Sequence, residues 1–179
     1  MTESRPDLEA DSWAFALHIY AQPGVADACL NLQEAAGVDV MMLLMSAFVA
    51  TRHRILLTAS DIRELDHACS PWREQIIQPL RAVRKGLKTG PPPAPTSETE
   101  QFRSKIKLAE LAAERLQNRL MAECLPLRPA KHEKVDREEI RSVLRSMVEF
   151  ALQKRGSTDI SSLLPSIEVI ADAAVQDAT

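Results

Sequence analysis

The chain has 179 residues, 45% of them hydrophobic and 26% charged, and carries a net charge of −3. That is length for one domain with a real core, and the mild acidity removes any global drive toward nucleic acid. The longest apolar run, Val40 to Ala50 interrupted by Ser46, falls well short of the roughly 20 residues that a membrane span needs.

The opening Thr2-Glu3-Ser4-Arg5-Pro6-Asp7 lacks the basic start and apolar segment of a secretory signal. Cys29, Cys69 and Cys124 are odd in number, far apart and without a Cys-x-x-Cys pair, which points to buried thiols in a reducing compartment. A soluble cytoplasmic protein is expected, with no membrane partner and no cofactor. Charge is uneven along the chain: residues 1–50 hold seven acids and one base, whereas 51–90 hold eight bases and four acids. Only 4% of residues are aromatic, and the Ala, Leu and Met content favours helix over strand.

Residues 1–10 read as a disordered start. Asp11 or Ser12 then caps a first helix with Trp13, Leu17 and Tyr20 as its apolar face, flanked by Phe15 and Ile19. Pro23-Gly24 breaks it. Val25, Ala28, Cys29, Leu32 and Ala36 mark a second helix, ended by Gly37. Asp39 caps a third helix to about Arg52, whose run Val40 to Met45 is apolar all round and predicts burial at the centre of the fold. Thr58 and Asp61 have capping-box spacing and open a fourth helix through Ile62, Leu65 and Cys69. Ser70-Pro71 restarts the chain into a fifth, with Trp72, Ile76, Leu80, Val83 and Leu87 inward and a kink expected at Pro79.

The proline-rich stretch 89–97 reads as an extended linker. It divides a helical half at 11–88 from another at 98–155. After it, Ser97 and Glu100 have capping-box spacing, and Phe102, Ile106, Ala109, Ala113, Leu116 and Leu120 line a long helix ending near Cys124. The four-three spacing suits lengthwise packing, so a homo-oligomer through the 98–124 helix is one possible assembly. A break follows at 125–134. Asp136 and Glu139 box the next helix, with Val135 stapled onto Ile140 and with Ile140, Val143, Leu144, Met147 and Ala151 inward. Residues 156–179 form a last helix and a possible appendage, its start displaced by Pro165. The fold class is all-α: a single-domain bundle of about seven helices.

No phosphate-cradling loop or dinucleotide fingerprint can be built from the five glycines. Neither is there an HExxH or a zinc-spaced Cys/His set; His67 and Cys69 point about 200° apart on a helix. No catalytic residue, metal ligand or cofactor site is assigned. Two surfaces carry hypotheses. Arg81, Arg84, Lys85 and Lys88 share one helix face, which could dock an acidic protein surface or RNA phosphates. The alternative is that they complement the helix dipole or pair with the acidic N-terminal segment. Trp13, Tyr20, Gln33 and Asp39 could line a pocket, aromatic bodies with polar tips beside apolar helices. The alternative there is a core with Asp39 as a simple cap.

Trp13-Ala14-Phe15, Tyr20-Ala21-Gln22-Pro23-Gly24-Val25, Ala28-Cys29-Leu30-Asn31-Leu32-Gln33 and Gly37-Val38-Asp39-Val40 resemble an uncharacterised family of small helical bacterial proteins found in Proteobacteria. Trp72-Arg73 and Pro79-Leu80-Arg81-Ala82-Val83-Arg84 resemble its second half, so the likeness spans roughly 11–155. The resemblance implies bacterial origin and an all-α fold and supplies no catalytic residue. It also implies relatives encoded near an ATP-binding protein of the translation-associated ABC-F type. The leading expectation is a non-enzymatic protein-interaction or regulatory factor with a protein partner. A small-molecule binder or enzyme using the N-terminal pocket is the alternative, and a translation- or RNA-associated factor comes last, since too few aromatics accompany the cations for base stacking.

Overall fold

The computed structural model describes residues 5–126, 128–130 and 135–177. Their elements are α1 (Arg5–Tyr20), α2 (Val25–Ala36), α3 (Val40–His53), α4 (Ala59–Trp72), a π turn (Arg73–Ile77), α5 (Gln78–Thr89), α6 (Ser97–Cys124), α7 (Arg137–Lys154) and α8 (Leu164–Asp177). The α4–π–α5 segment is continuous, so the described residues form seven helical rods, with no strand among them. The bundle is a single all-α domain.

α3 is its centre. Every residue from Met41 to Ala50 is buried, as the all-round apolar run requires, and α1, α2, α6, α7 and α8 pack about it. Its start is fixed by Asp39, whose Oδ1 accepts the amides of Met41 and Met42 at 2.9 and 3.2 Å. Gly37 ends α2 at φ 72°, and the capping boxes at Thr58/Asp61 and Asp136/Glu139 both form. α8 begins at Leu164 with Pro165 in its first turn and buries Ile167, Ile170, Ala171 and Ala174 against the core. The last segment is therefore part of the bundle, not an appendage.

Several expectations are corrected. Residues 1–4 lie outside the described residues, but from Arg5 the chain is helical and Leu8 is buried. α1 thus begins ahead of Asp11, and its inward face is Leu8, Ser12, Phe15 and Ile19, while Leu17 and Tyr20 are 49% and 39% exposed. Ser12 caps nothing; its hydroxyl joins Asn118 of α6 at 3.0 Å. The 90–96 segment is a hairpin connection between antiparallel α5 and α6, closed by Ala94 N–H to Pro91 O at 3.0 Å, and α6 packs on α1, α3, α4 and α5 alike. The helix cap is Thr96 with Thr99, one residue before the expected Ser97. Part of the 125–134 break, Leu127 and residues 131–134, lies outside the described residues.

The chain does not restart at Pro71. Instead it runs on into the π turn directly before Pro79, with Gln78 N–H bonded to the carbonyl of Arg73. The wider turn accommodates the missing Pro79 donor and its ring. Beyond it Ile77 is buried, and Arg81 and Arg84 are half-buried alongside Leu80 and Leu87, whereas Ile76 and Val83 are exposed. α6 likewise departs from its apolar stripe. Phe102 and Leu116 face out, while Glu110, Gln117 and Asn118 are buried alongside Ala113, Met121 and Ala122.

Candidate functional site

Two of the buried polar residues of α6, Gln117 and Glu110, each belong to a charge network. In the first, Asp39 Oδ2 accepts from Arg73 Nη1 at 2.9 Å and from Gln117 Nε2 at 2.6 Å. Arg73 Nη2 donates to Asp66 Oδ1 at 2.6 Å, and Lys154 Nζ donates to the other Asp66 oxygen at 2.7 Å. One chain of bonds therefore ties α6, the start of α3, the π turn, α4 and α7. Burial raises the Asp66 pKa, but the bonds from Lys154 and Arg73 outweigh it and hold the carboxyl below its ordinary value. Burial works against the Arg73 charge, and Asp39 with Asp66 more than offsets it.

In the second network, Glu110 sits between two guanidinium groups. Arg81 Nε reaches Oε1 at 2.7 Å and Arg84 Nε reaches Oε2 at 2.5 Å, while Arg81 Nη2 also donates to Glu114 at 2.6 Å. The two glutamates respond in opposite senses. Burial pushes both up, but Arg84 and Arg81 together bring Glu110 below its usual value. Glu114 has only Arg81, with Glu110 and Asp39 nearby as like charges, and its pKa is raised.

Both networks border one cleft of about 600 Å³, a volume ordinary for a small-molecule site. Its polar lining includes Gln33, Asp39, Asp66, Arg73, Glu74, Gln78, Arg81, Lys85, Glu114, Gln117 and Lys154, and its apolar lining Met41, Met42, Ile77, Met147 and Phe150. Arg73, Glu74 and Ile77 all come from the π turn, a local geometry that recurs at functional sites. Gln117 is 1% exposed, and its Oε1 has no hydrogen-bond partner among the described residues. Its orientation is not free: Asp39 can only accept, so the amide nitrogen must face Asp39 and the oxygen must face away.

The two surfaces expected from sequence are thus partly one. Gln33 and Asp39 line the cleft, as do Arg81 and Lys85. Trp13 instead packs against the core, and Tyr20 lies outside the cleft lining, its pKa raised by burial and by Cys29 and Glu114. Arg81 and Arg84 are neutralised by Glu110 and Glu114 of α6, while Lys85 reaches Glu34 of the acidic N-terminal segment at 3.3 Å. Lys88 is exposed and makes no ion pair among the described residues. Sequence reasoning missed Arg73, Asp66, Glu110, Glu114, Gln117 and Lys154. One signal was present: Glu110 and Glu114 stand i, i+4, as a complement to Arg81 and Arg84 on a neighbouring helix.

Away from the cleft, His18 approaches Asp177 at 3.5 Å, and Arg52 shares that carboxylate at 2.5 Å. Cys29 and Cys69 are buried, and burial pushes both thiols up to about 12; Cys124 is exposed, contrary to expectation. No group of three or more His, Cys, Asp or Glu among the described residues is placed to hold a metal ion, and no helix among them is long and apolar enough to cross a membrane.

A family profile described as protein of unknown function (DUF2390) matches residues 11–121. The chain belongs to this family. The DUF2390 region covers α2–α5 and most of α1 and α6, a shorter extent than the 11–155 expected, and it holds Gln33, Asp39, Asp66, Arg73 and Gln117. Met147, Phe150 and Lys154 enter the cleft from α7, beyond the DUF2390 match. Comparison with curated proteins and with solved structures returned no match.

Proposed function

We propose that this DUF2390 protein binds a small organic molecule in the cleft between the α2–α3 junction, the π turn, α6 and α7. One observation carries the reading: a cleft of about 600 Å³ sets the nearly buried Asp39–Arg73–Asp66 network beside Met42, Met147 and Phe150. A concave site lined by apolar side chains with a few convergent polar groups is the default place for a small molecule to bind. Free, widely separated cysteines favour a reducing compartment such as the cytoplasm.

The test is extraction of small molecules from the purified protein, followed by thermal-shift measurement with whatever is recovered. A compound that stabilises the wild type but not Gln117→Met or Phe150→Ala supports the reading. Recovery of none, with both variants melting as expected for simple packing losses, overturns it.

A second reading, pairing of two copies along α6, is favoured by Phe102, Leu108, Leu111 and Leu116, each at least 42% exposed. Sedimentation equilibrium decides it: a concentration-dependent dimer lost on Leu108→Lys and Leu111→Lys supports it, and a monomer at all concentrations removes it.

A further inference from the structure

We infer that two copies of the chain pair antiparallel along α6, about a two-fold axis that passes between Ala109 and Ala112. The inference rests on the pairing reading above and adds the direction and register of the partner.

Spacing is the first argument. Phe102, Lys105, Ala109, Ala112, Leu116 and Arg119 follow one another by steps of three and four, so they share one face of α6, and Glu98 and Glu123 continue the same steps at either end. Every one of these residues is exposed, Phe102 at 50% and Leu116 at 53%. The apolar stripe of α6 is therefore split. Ala113 is buried and Leu120 packs against the core, while Phe102, Ala109 and Leu116 face solvent. Leu108, 68% exposed, widens the apolar surface beside them, and a contiguous surface of this kind marks a contact site.

Arrangement is the second. The strip has two small residues at its centre, one bulky apolar and one basic residue on each side of them, and an acid at each end. Such a strip is complementary to its own reverse, the requirement of a two-fold interface. At the axis Ala109 meets the partner's Ala112, where small side chains let the helices approach closely. Phe102 then interleaves with the partner's Leu116 in one apolar row.

Charge is the third. Glu98 and Lys105 make no ion pair among the described residues, and Arg119 holds only Glu123, at 3.5 Å. The antiparallel register gathers Glu98 and Lys105 with the partner's Arg119 and Glu123 at each end, two acids with two bases. A parallel copy would set each of these charges level with its own like, so the charges select direction. With acids and bases equal in number, the strip has no net charge to draw it to an anionic membrane or nucleic acid.

The experiment is cysteine crosslinking of the full chain under mild oxidation with copper–phenanthroline. A Cys124→Ser background removes the exposed native thiol. A disulfide needs Cα atoms within about 7 Å, so Ala109→Cys and Ala112→Cys should each form covalent dimers about tenfold or more faster than Lys107→Cys, on the opposite side of α6. Phe102→Cys and Leu116→Cys should each stay monomeric alone and crosslink to one another when mixed. Self-crosslinking of Phe102→Cys and of Leu116→Cys shows a parallel pair and overturns the inference while pairing along α6 stands. A dimer in sedimentation with none of the expected crosslinks overturns the register in the same way. A monomer at all concentrations, with every variant crosslinking as slowly as Lys107→Cys, removes both the register and the pairing reading.

Discussion

Gln117 and Asp39, 78 residues apart in sequence, are joined by a 2.6 Å hydrogen bond from Nε2 to Oδ2, so the cap of the central helix is also the anchor of the cleft. Asp39→Ser keeps a capping oxygen but loses the partner of Arg73 and Gln117. A broken buried pair costs about 3–5 kcal/mol, with the lower end expected here because Arg73 retains Asp66. Asp39→Ala should lose about 1 kcal/mol more with the cap. Urea unfolding midpoints for the two variants measure both steps.

Asp61 provides a pH test. The hydrogen bond from Arg128 is the main cause that lowers its pKa to about 2; burial opposes it, and the amide and hydroxyl of Thr58 add to the lowering. A carboxyl depressed in the folded state stabilises the fold above its ordinary value of 3.8 and loses that contribution as pH falls toward 2. The stake is about 2 kcal/mol, at roughly 1.4 kcal/mol per pKa unit. Arg128→Gln should raise the Asp61 pKa seen by carboxyl NMR titration and shift acid unfolding to higher pH, with little change in shape at neutral pH.

A solvent-facing docking surface on α5, the first of the two readings of its cations, would tolerate charge reversal. The structure reverses that expectation, because Glu110 is buried between Arg81 and Arg84. Arg84→Glu should destabilise by about 3 kcal/mol or more, through an uncompensated buried charge. Lys88→Glu, at an exposed and unpaired position, should be nearly silent. The swap Arg84→Glu with Glu110→Arg should recover part of the loss, read as thermal melting temperature.

Gly37 adopts φ 72°, and a Cβ there would lie 2.5 Å from Arg155 Nε. Arg155 meanwhile donates to the carbonyls of Glu34 and Ala35 at the end of α2. Gly37→Ala should cost about 1–2 kcal/mol for the backbone alone, plus the displaced arginine. In an Arg155→Ala background only the backbone part should remain, and chemical denaturation of the four proteins separates the two.

Thiol chemistry should be selective. Native protein treated with iodoacetamide should be modified at Cys124 alone, since burial shields Cys29 and Cys69 and pushes their pKa values to about 12. Peptide mass mapping before and after unfolding checks this.

The parts of the fold legible in sequence were those in which local chemistry and burial agree. Asp39, Thr58, Asp136 and Gly37 mark helix ends through bonds that involve only neighbouring residues, and the apolar run of α3 has only one solution. α1 was misread because two stripes compete at helical spacing, and the choice depended on Leu8 and on Ser12 meeting Asn118 of a distant helix. α6 was misread because its buried face carries Glu110, Gln117 and Asn118, which no hydrophobic period reveals. Half of the expected pocket, Gln33 and Asp39, does line the cleft; Arg73, Asp66 and Lys154 were invisible because only tertiary contact brings them together.

The widened turn at Arg73–Ile77 amounts to one surplus residue, and it carries everything after it round the rod by about 100°. Chain count, not side-chain chemistry, thus decides whether the arginines of α5 look outward or back at their own molecule. Were the same residues wound as an unbroken α-helix through that point, the arginines would swing off their glutamates, and a self-neutralised seam would become an outward cationic flank.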